Sequence, residues 1–244
     1  MSSHASGNNR PQGTVRLDDE DNVRQILIDT MFGLWATVNN LSRLRPSKRA
    51  RYRVTVFGSA RPDPQHWVYQ QVRRMCGEFG ALGCDIVTGG GPGLMQAANE
   101  GARDATAGGQ SIGIRVELPF EQTANPFVVQ AFEHESFFTR LHQFVLMSDA
   151  YVVAPGGIGT VLEAMMIWQL LQVRHLEGTP LILVGPMWRS LVDWAHANMR
   201  RPGFELAGAK DLEIPHCVDD ADQAIAIVRE HHARWQATGT VATR

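Results

Sequence analysis

A chain of 244 residues that is 44% hydrophobic and 20% charged can bury the core of one ordinary domain with extensions. Its 23 basic and 25 acidic side chains leave a formal net charge of -2, so no overall basic field favours nucleic acid or an anionic membrane as the main partner. No run reaches the roughly 18 apolar residues of a spanning helix and the first twenty residues hold no apolar leader core, so a cytoplasmic protein is expected. Cys76, Cys84 and Cys217 are too scattered for a disulfide framework or a CxxC metal site and read as small buried hydrophobes. The only lysines are Lys48 and Lys210, and neither follows a glycine-rich loop. A Walker-type phosphate lysine is therefore absent, and a pyridoxal phosphate Schiff base is hard to place.

In chain order, residues 1–17 form a polar Ser/Gly/Asn-rich segment expected to be a disordered tail. Residues 18–50 follow as an N-terminal helix and a basic linker. Val23, Ile26, Leu27, Met31, Leu34 and Val38 recur at helical spacing, and Arg43, Arg45, Lys48, Arg49, Arg51 and Arg53 then come without an acid between them. Residues 51–238 are expected to form a single nucleotide-binding domain. Its strand candidates are 52–57, 84–88, 111–116, 150–154 and 180–184. Its helix candidates are 64–82, 93–107, 137–147, 160–171, 188–199 and 221–237. Apolar strands alternating with helices predict an α/β fold, a Rossmann-like doubly wound parallel sheet with helices on both faces and with ligands at the carboxyl ends of the strands.

Three glycine-bearing turns each follow a strand candidate and precede a helix candidate: Gly58-Ser59-Ala60, Gly89-Gly90-Gly91-Pro92-Gly93 and Gly156-Gly157-Ile158-Gly159-Thr160. Glycine lets the backbone approach a ligand, and a helix N-terminus offers unpaired N–H groups to an anion. Any one turn alone is as well explained as a tight connection. Three converging on one sheet edge predict a phosphate or nucleotide site. Neither GSARPD nor GGGPGLM carries the GxGxxG spacing of a dinucleotide fold, which disfavours NAD.

The stretches Val87-Thr88-Gly89-Gly90-Gly91-Pro92-Gly93-Leu94-Met95, Leu118-Pro119-Phe120-Glu121-Gln122 with Asn125, and Pro155-Gly156-Gly157-Ile158-Gly159-Thr160-Val161-Leu162-Glu163 together resemble the LOG (Lonely guy) family, whose members often carry a lysine decarboxylase label. The shortage of lysines argues against that label. The resemblance runs over about 52–198. It implies a phosphoribohydrolase that cleaves the N-glycosidic bond of nucleoside 5′-monophosphates, cytokinin ribotides included, to free base and ribose 5-phosphate. It further implies a homodimer and two catalytic positions, Arg140 in Phe137-Phe138-Thr139-Arg140 and the Glu163 that closes PGGxGTxxE. Leu141 stands where the family usually has lysine, and Leu162 replaces the acid that commonly precedes the glutamate. Those two changes leave open a second function, a non-catalytic nucleotide or molybdenum-cofactor carrier or sensor.

The residues suit the hydrolysis. Breaking a ribosyl C–N bond builds positive charge at C1′, which a carboxylate such as Glu163 can stabilise while it orients or deprotonates water. Its bland alternative is a helix-dipole partner. Arg140 can hold phosphate or ribose hydroxyls, its alternative being a surface arginine lying over Phe137 and Phe144. The expected substrate-binding set is Gly58, Ser59, Thr88, Gly90, Gly91, Gly93, Leu94, Met95, Gly156, Gly157, Gly159 and Thr160. Ser59 and Thr160 could equally be helix caps, and Leu94 and Met95 ordinary packing. No cofactor is expected. No metal is expected either, since Glu133-His134-Glu135 are adjacent residues of an extended segment that point to opposite faces. His231 and His232 read as solvent-facing. The apolar run Met165, Met166, Ile167, Trp168, Leu170, Leu171 predicts a helix buried in its own core or against a second subunit.

Overall fold

The computed structural model describes residues 20–28, 31, 50–105, 107–116, 124–134 and 136–240. The chain divides into two compact units, Met1–Ser47 and Lys48–Arg244. In the first, residues 20–28 form helix α1, with Arg24 donating to Asp21 at 3.0 Å and with Ile26 and Leu27 exposed. The polar tail, most of the basic linker, the 118–122 segment and Glu135 lie outside the described residues.

The second unit runs β1 (Arg53–Phe57), α2 (Trp67–Ala81), β2 (Asp85–Thr88), α3 (Leu94–Asp104), β3 (Ser111–Val116), β4 (Gln130–His134), α4 (Phe137–Met147), β5 (Ala150–Val153), α5 (Ile158–Gln172), β6 (Leu181–Val184), α6 (Pro186–Met199), β7 (Arg200–Arg201), β8 (Phe204–Glu205), α7 (Ala209–Leu212), β9 (Pro215–Val218) and α8 (Ala221–Thr240). Seven strands make one parallel sheet in the order β4-β3-β2-β1-β5-β6-β9, and β7 and β8 form a separate antiparallel pair. The α/β doubly wound reading therefore holds. The sheet carries two strands beyond the five expected, both at its edges. β4 (QAFEH) is mostly exposed and polar, and β9 opens on Pro215, so neither has the continuous apolar run of a central strand.

Alternate residues of each central strand feed two cores. Val54 and Val56 of β1 and Val152 of β5 pack with Met75 and Phe79 of α2, Leu94 and Ala98 of α3, and Ile225 and Val228 of α8. Phe57 of β1 and Tyr151 and Val153 of β5 pack on the opposite face with Phe144 of α4, Ile167 and Trp168 of α5, and Trp188 of α6. Each such large side chain contributes about 1.5–3 kcal/mol through burial, which holds the helices on both faces. Helices α2 and α3 approach closely because Gly101 lacks a Cβ; one placed there would run into the Arg73 carbonyl.

The C-terminal histidines correct their sequence reading. His232 is buried, and His231 links Tyr52 Oη through Nδ1 and the Gly178 carbonyl through Nε2, each at 2.6 Å. They tie α8 to β1 because Tyr52, itself buried, needs a partner for its hydroxyl.

Candidate functional site

The chain leaves β1 to run to β2 on one side, and β5 lies on β1's other side, so the loops after β1 and β5 diverge and open a crevice at the carboxyl ends of the strands. A cleft of about 930 Å³ occupies it, bounded by the three glycine turns. The turns brace one another. Ser59 N–H donates to the Pro155 carbonyl at 3.1 Å, and Leu94 N–H donates to the Ser59 carbonyl at 2.8 Å. Gly93, with φ of 69°, lies so near Ser59 and Ala60 that no side chain fits there. Gly156 is held the same way against the Thr160 side chain.

Of the expected binding residues, Gly58, Ser59, Leu94, Met95, Gly156, Gly157, Gly159 and Thr160 line the cleft, together with Arg140 and Glu163. Thr88, Gly90, Gly91 and Gly93 are buried behind the wall instead. Thr88 Oγ1 accepts from Gly90 N–H at 2.9 Å and donates to Asn99 Oδ1 at 2.7 Å. Asn99 in turn receives Asn125 Nδ2 at 3.0 Å and donates to Ser111 at 2.8 Å. This buried network fixes the shape of the Gly89–Gly93 turn, and Thr88 serves it as a scaffold. Ser59 does not cap α2: His66 does, its Nδ1 accepting from Val68 N–H at 3.2 Å, while the Ser59 hydroxyl accepts from Arg61 N–H.

Glu163 stands on α5, one turn after Thr160 and on the same side of the helix. Its carboxylate meets Arg140 Nη1 at 3.3 Å, and both side chains are only 12% exposed. Arg140 comes from α4 and is clamped: Nε donates to the Ile114 carbonyl at 3.0 Å, its guanidinium lies 5.2 Å from the Phe144 ring centroid, and Nη2 fills the space where a Cβ on Gly89 would be. Burial pushes the Glu163 carboxyl up to about 7, with Arg140 opposing that rise. A group poised there exchanges its proton near neutrality, and this sets Glu163 apart from an exposed helix-dipole partner.

Several cleft residues escaped the sequence reading. Arg115 lines the wall from β3, paired with Glu133 at 3.2 Å, and Arg61 and His66 line it from the loop after β1. An arginine directly after Gly58-Ser59-Ala60 was a readable signal for Arg61. Arg115 gave none, since a strand arginine is placed only by knowing which strand ends at the cleft. Leu141 is buried outside the cleft lining, whereas Leu162 is 51% exposed on α5. Among the described residues no group of three His, Cys, Asp or Glu side chains is arranged to hold a metal, and no helix is long and apolar enough to cross a membrane.

Residues 95–228, more than half of the chain, match the family described as "Possible lysine decarboxylase". The chain belongs to this family. It is the LOG-type family that the glycine motifs resemble. Over 126 residues the chain is 29% identical to the pyrimidine/purine nucleotide 5′-monophosphate nucleosidase of Escherichia coli K12, a match over 48% of this chain and 28% of that protein. This LOG-type chain thus aligns with little more than a quarter of the curated relative's length. In fold it is similar to the molybdenum cofactor binding protein of Rippkaea orientalis, with a TM-score of 0.57 at 19% identity over 75% of this chain and 98% of that one. It is likewise similar to the molybdenum cofactor carrier protein of Chlamydomonas reinhardtii, with a TM-score of 0.56 at 21% identity over 75% and 99%.

Proposed function

We propose that this LOG-type protein hydrolyses the N-glycosidic bond of nucleoside 5′-monophosphates, AMP or an N6-modified relative foremost, to free base and ribose 5-phosphate. The observation that carries the reading is the buried Arg140–Glu163 pair, one helical turn from a phosphate-type helix N-terminus in a glycine-rimmed cleft. The nucleosidase similarity supports the same reaction class.

The phosphate binds at the first turn of α5, where N–H groups lack helical partners, with Thr160, Ser59 and the cleft arginines around it. Thr160 to Glu163 is a rise of about 4.5 Å along the helix, which sets C1′ within reach of the carboxylate once the phosphate is seated. Ionised Glu163 takes a proton from water as its oxygen bonds to C1′. The C1′–N bond breaks with its electron pair going to the base, and the proton that Glu163 took from water passes on to the departing base, which regenerates the carboxylate. Arg140 orients Glu163 and contacts the ribose hydroxyls. No metal or cofactor has a part in these steps.

The working protein is a homodimer in this reading. Ile158, Leu162 and Met165 form an apolar row along α5 at spacings of four and three, 87%, 51% and 38% exposed, as an interface helix requires. The carrier alternative keeps the cleft without turnover, and retention of both Arg140 and Glu163 speaks against it. Incubation of purified protein with a panel of nucleoside monophosphates, with free base assayed, tests the proposal. Release from AMP is expected, and no release from any member of the panel overturns it.

A further inference from the structure

The turn between β2 and α3, Gly89-Gly90-Gly91-Pro92-Gly93, bears on two of the cleft's arginines at once. Arg140 Nη2 rests where a Cβ on Gly89 would lie, and the Arg115 stem packs on Gly90, its Cγ 3.0 Å from the place a Cβ would take. Such a turn, glycine at every position but Pro92, has almost no side chain with which to hold its own shape. Asn125 holds it from outside. Its backbone N–H donates to the Gly90 carbonyl at 2.9 Å, and its Nδ2 donates to the Gly91 carbonyl and to Asn99 Oδ1, each at 3.0 Å. Its Oδ1 accepts Phe127 N–H at 3.1 Å, which fixes the amide with its donors toward the turn. Asn125 is buried and lies outside the cleft lining, so it does this without meeting a ligand itself.

We infer that Asn125 is a positioning residue of the candidate active site: its clasp on the glycine turn sets where Arg140 stands against Glu163. The inference deepens the hydrolase reading and rests on it for its meaning in catalysis, while the coupling itself is a property of the folded chain. Asn125 fastens Gly90 and Gly91, Gly89 stops the Arg140 guanidinium on one side, and the Ile114 carbonyl holds Nε on another, which leaves Nη1 directed at Glu163 at 3.3 Å. Without Nδ2 the buried Gly91 carbonyl loses that donor and the turn relaxes away from it. Arg140 then recoils, and the carboxylate feels the change because their attraction falls with distance in a site screened from water. Among the described residues, the titratable groups that line the cleft with Glu163 are Arg61, His66, Arg115 and Arg140, and Arg140 is the one paired with it.

Titration of the Glu163 carboxyl by carbon-13 NMR on the full-length chain reads this coupling without substrate, the resonance being assigned by its loss in Glu163→Gln. Asn125→Ala should raise the midpoint by about half a pH unit, in the same direction as Arg140→Ala and by less, since the guanidinium is displaced and not removed. In the Arg140→Ala background, Asn125→Ala should move the midpoint no further, a cancellation that a merely structural role for Asn125 would not produce. Asn125→Ser keeps a polar group at the buried position and is read in the same way should Asn125→Ala fail to fold. A midpoint unmoved in the single variant, or moved equally with and without Arg140, overturns the proposal. If the midpoints follow the expected pattern while wild-type protein releases no base from any nucleoside monophosphate, the role of Asn125 stands and the hydrolase reading falls. If base is released but the pattern is missing, the reverse holds.

Discussion

Replacing Glu163 by glutamine keeps the volume and the contact with Arg140 but removes both the charge and the proton acceptor. Burial has moved the carboxyl from 4.5 to about 7, against the pull of Arg140, which corresponds to about 3 kcal/mol held against ionisation at the site. For catalysis the sign is clear. In the proposed reaction the active form is the ionised one, so about a tenth of the plateau rate is expected at pH 6, half at pH 7 and nine tenths at pH 8. In Glu163→Gln, kcat should fall on the order of a hundredfold or more with KM little changed, because the lost interaction exists mainly in the transition state. The residual rate should also lose the rise through pH 7. Stability gives a second readout with its own sign. The folded carboxyl binds its proton more tightly than the unfolded one, so its contribution to stability declines as pH rises from about 4.5 to 7. The variant should therefore gain on wild type across that window by up to about 3 kcal/mol, read as the difference between their denaturant midpoints at pH 5 and pH 8. Rates of base release from AMP between pH 5.5 and 9 are the primary assay. A Glu163→Gln enzyme with near-normal kcat, or a wild-type profile flat through pH 7, would refute the assignment.

Arg140→Ala removes the charge that holds Glu163 down, so the midpoint of the pH–rate profile should move above 7, and KM should rise as a contact to the ribotide is lost. Thr160→Val should raise KM for AMP several-fold with a smaller effect on kcat, since a phosphate contact counts in ground and transition states alike; steady-state kinetics separates the two. Leu162→Glu places a charge in the apolar row of α5 and should convert the proposed dimer to monomer by light scattering, with the circular dichroism of the fold retained. Gly101→Ala forces a methyl into the Arg73 carbonyl across the α2–α3 contact. It should cost about 1–3 kcal/mol and lower Tm by roughly 3–10 °C.

The central strands were legible because Val54 to Phe57, Asp85 to Thr88 and Ala150 to Val153 are buried on both sides, which writes short runs rich in β-branched and aromatic residues into the sequence. β4 and β9 stayed hidden for the opposite reason, being edges that face solvent or carry proline. The glycines led to the cleft, since each turn that packs against another has to dispense with a Cβ. Which face of a turn meets the cleft is a matter of three dimensions. Thr88 and Gly90 stand beside Gly89 in the chain, yet they turn inward to the Asn99 network while Gly89 faces Arg140. The pairing of Arg140 with Glu163 spans α4 and α5, and no local spacing encodes it. Likewise His231 and His232 look like a polar doublet until Tyr52, distant in the chain, is packed beneath them.

The central claim is hydrolysis at C1′, and its most direct test is the fate of one AMP molecule in water enriched in oxygen-18. Purified protein should release adenine and ribose 5-phosphate in equal amounts, with a single labelled oxygen on C1 of the sugar, and Glu163→Gln should form both at a hundredth of that rate or less. AMP recovered intact after prolonged incubation with folded protein, or ribose 5-phosphate formed without the label, would contradict the account.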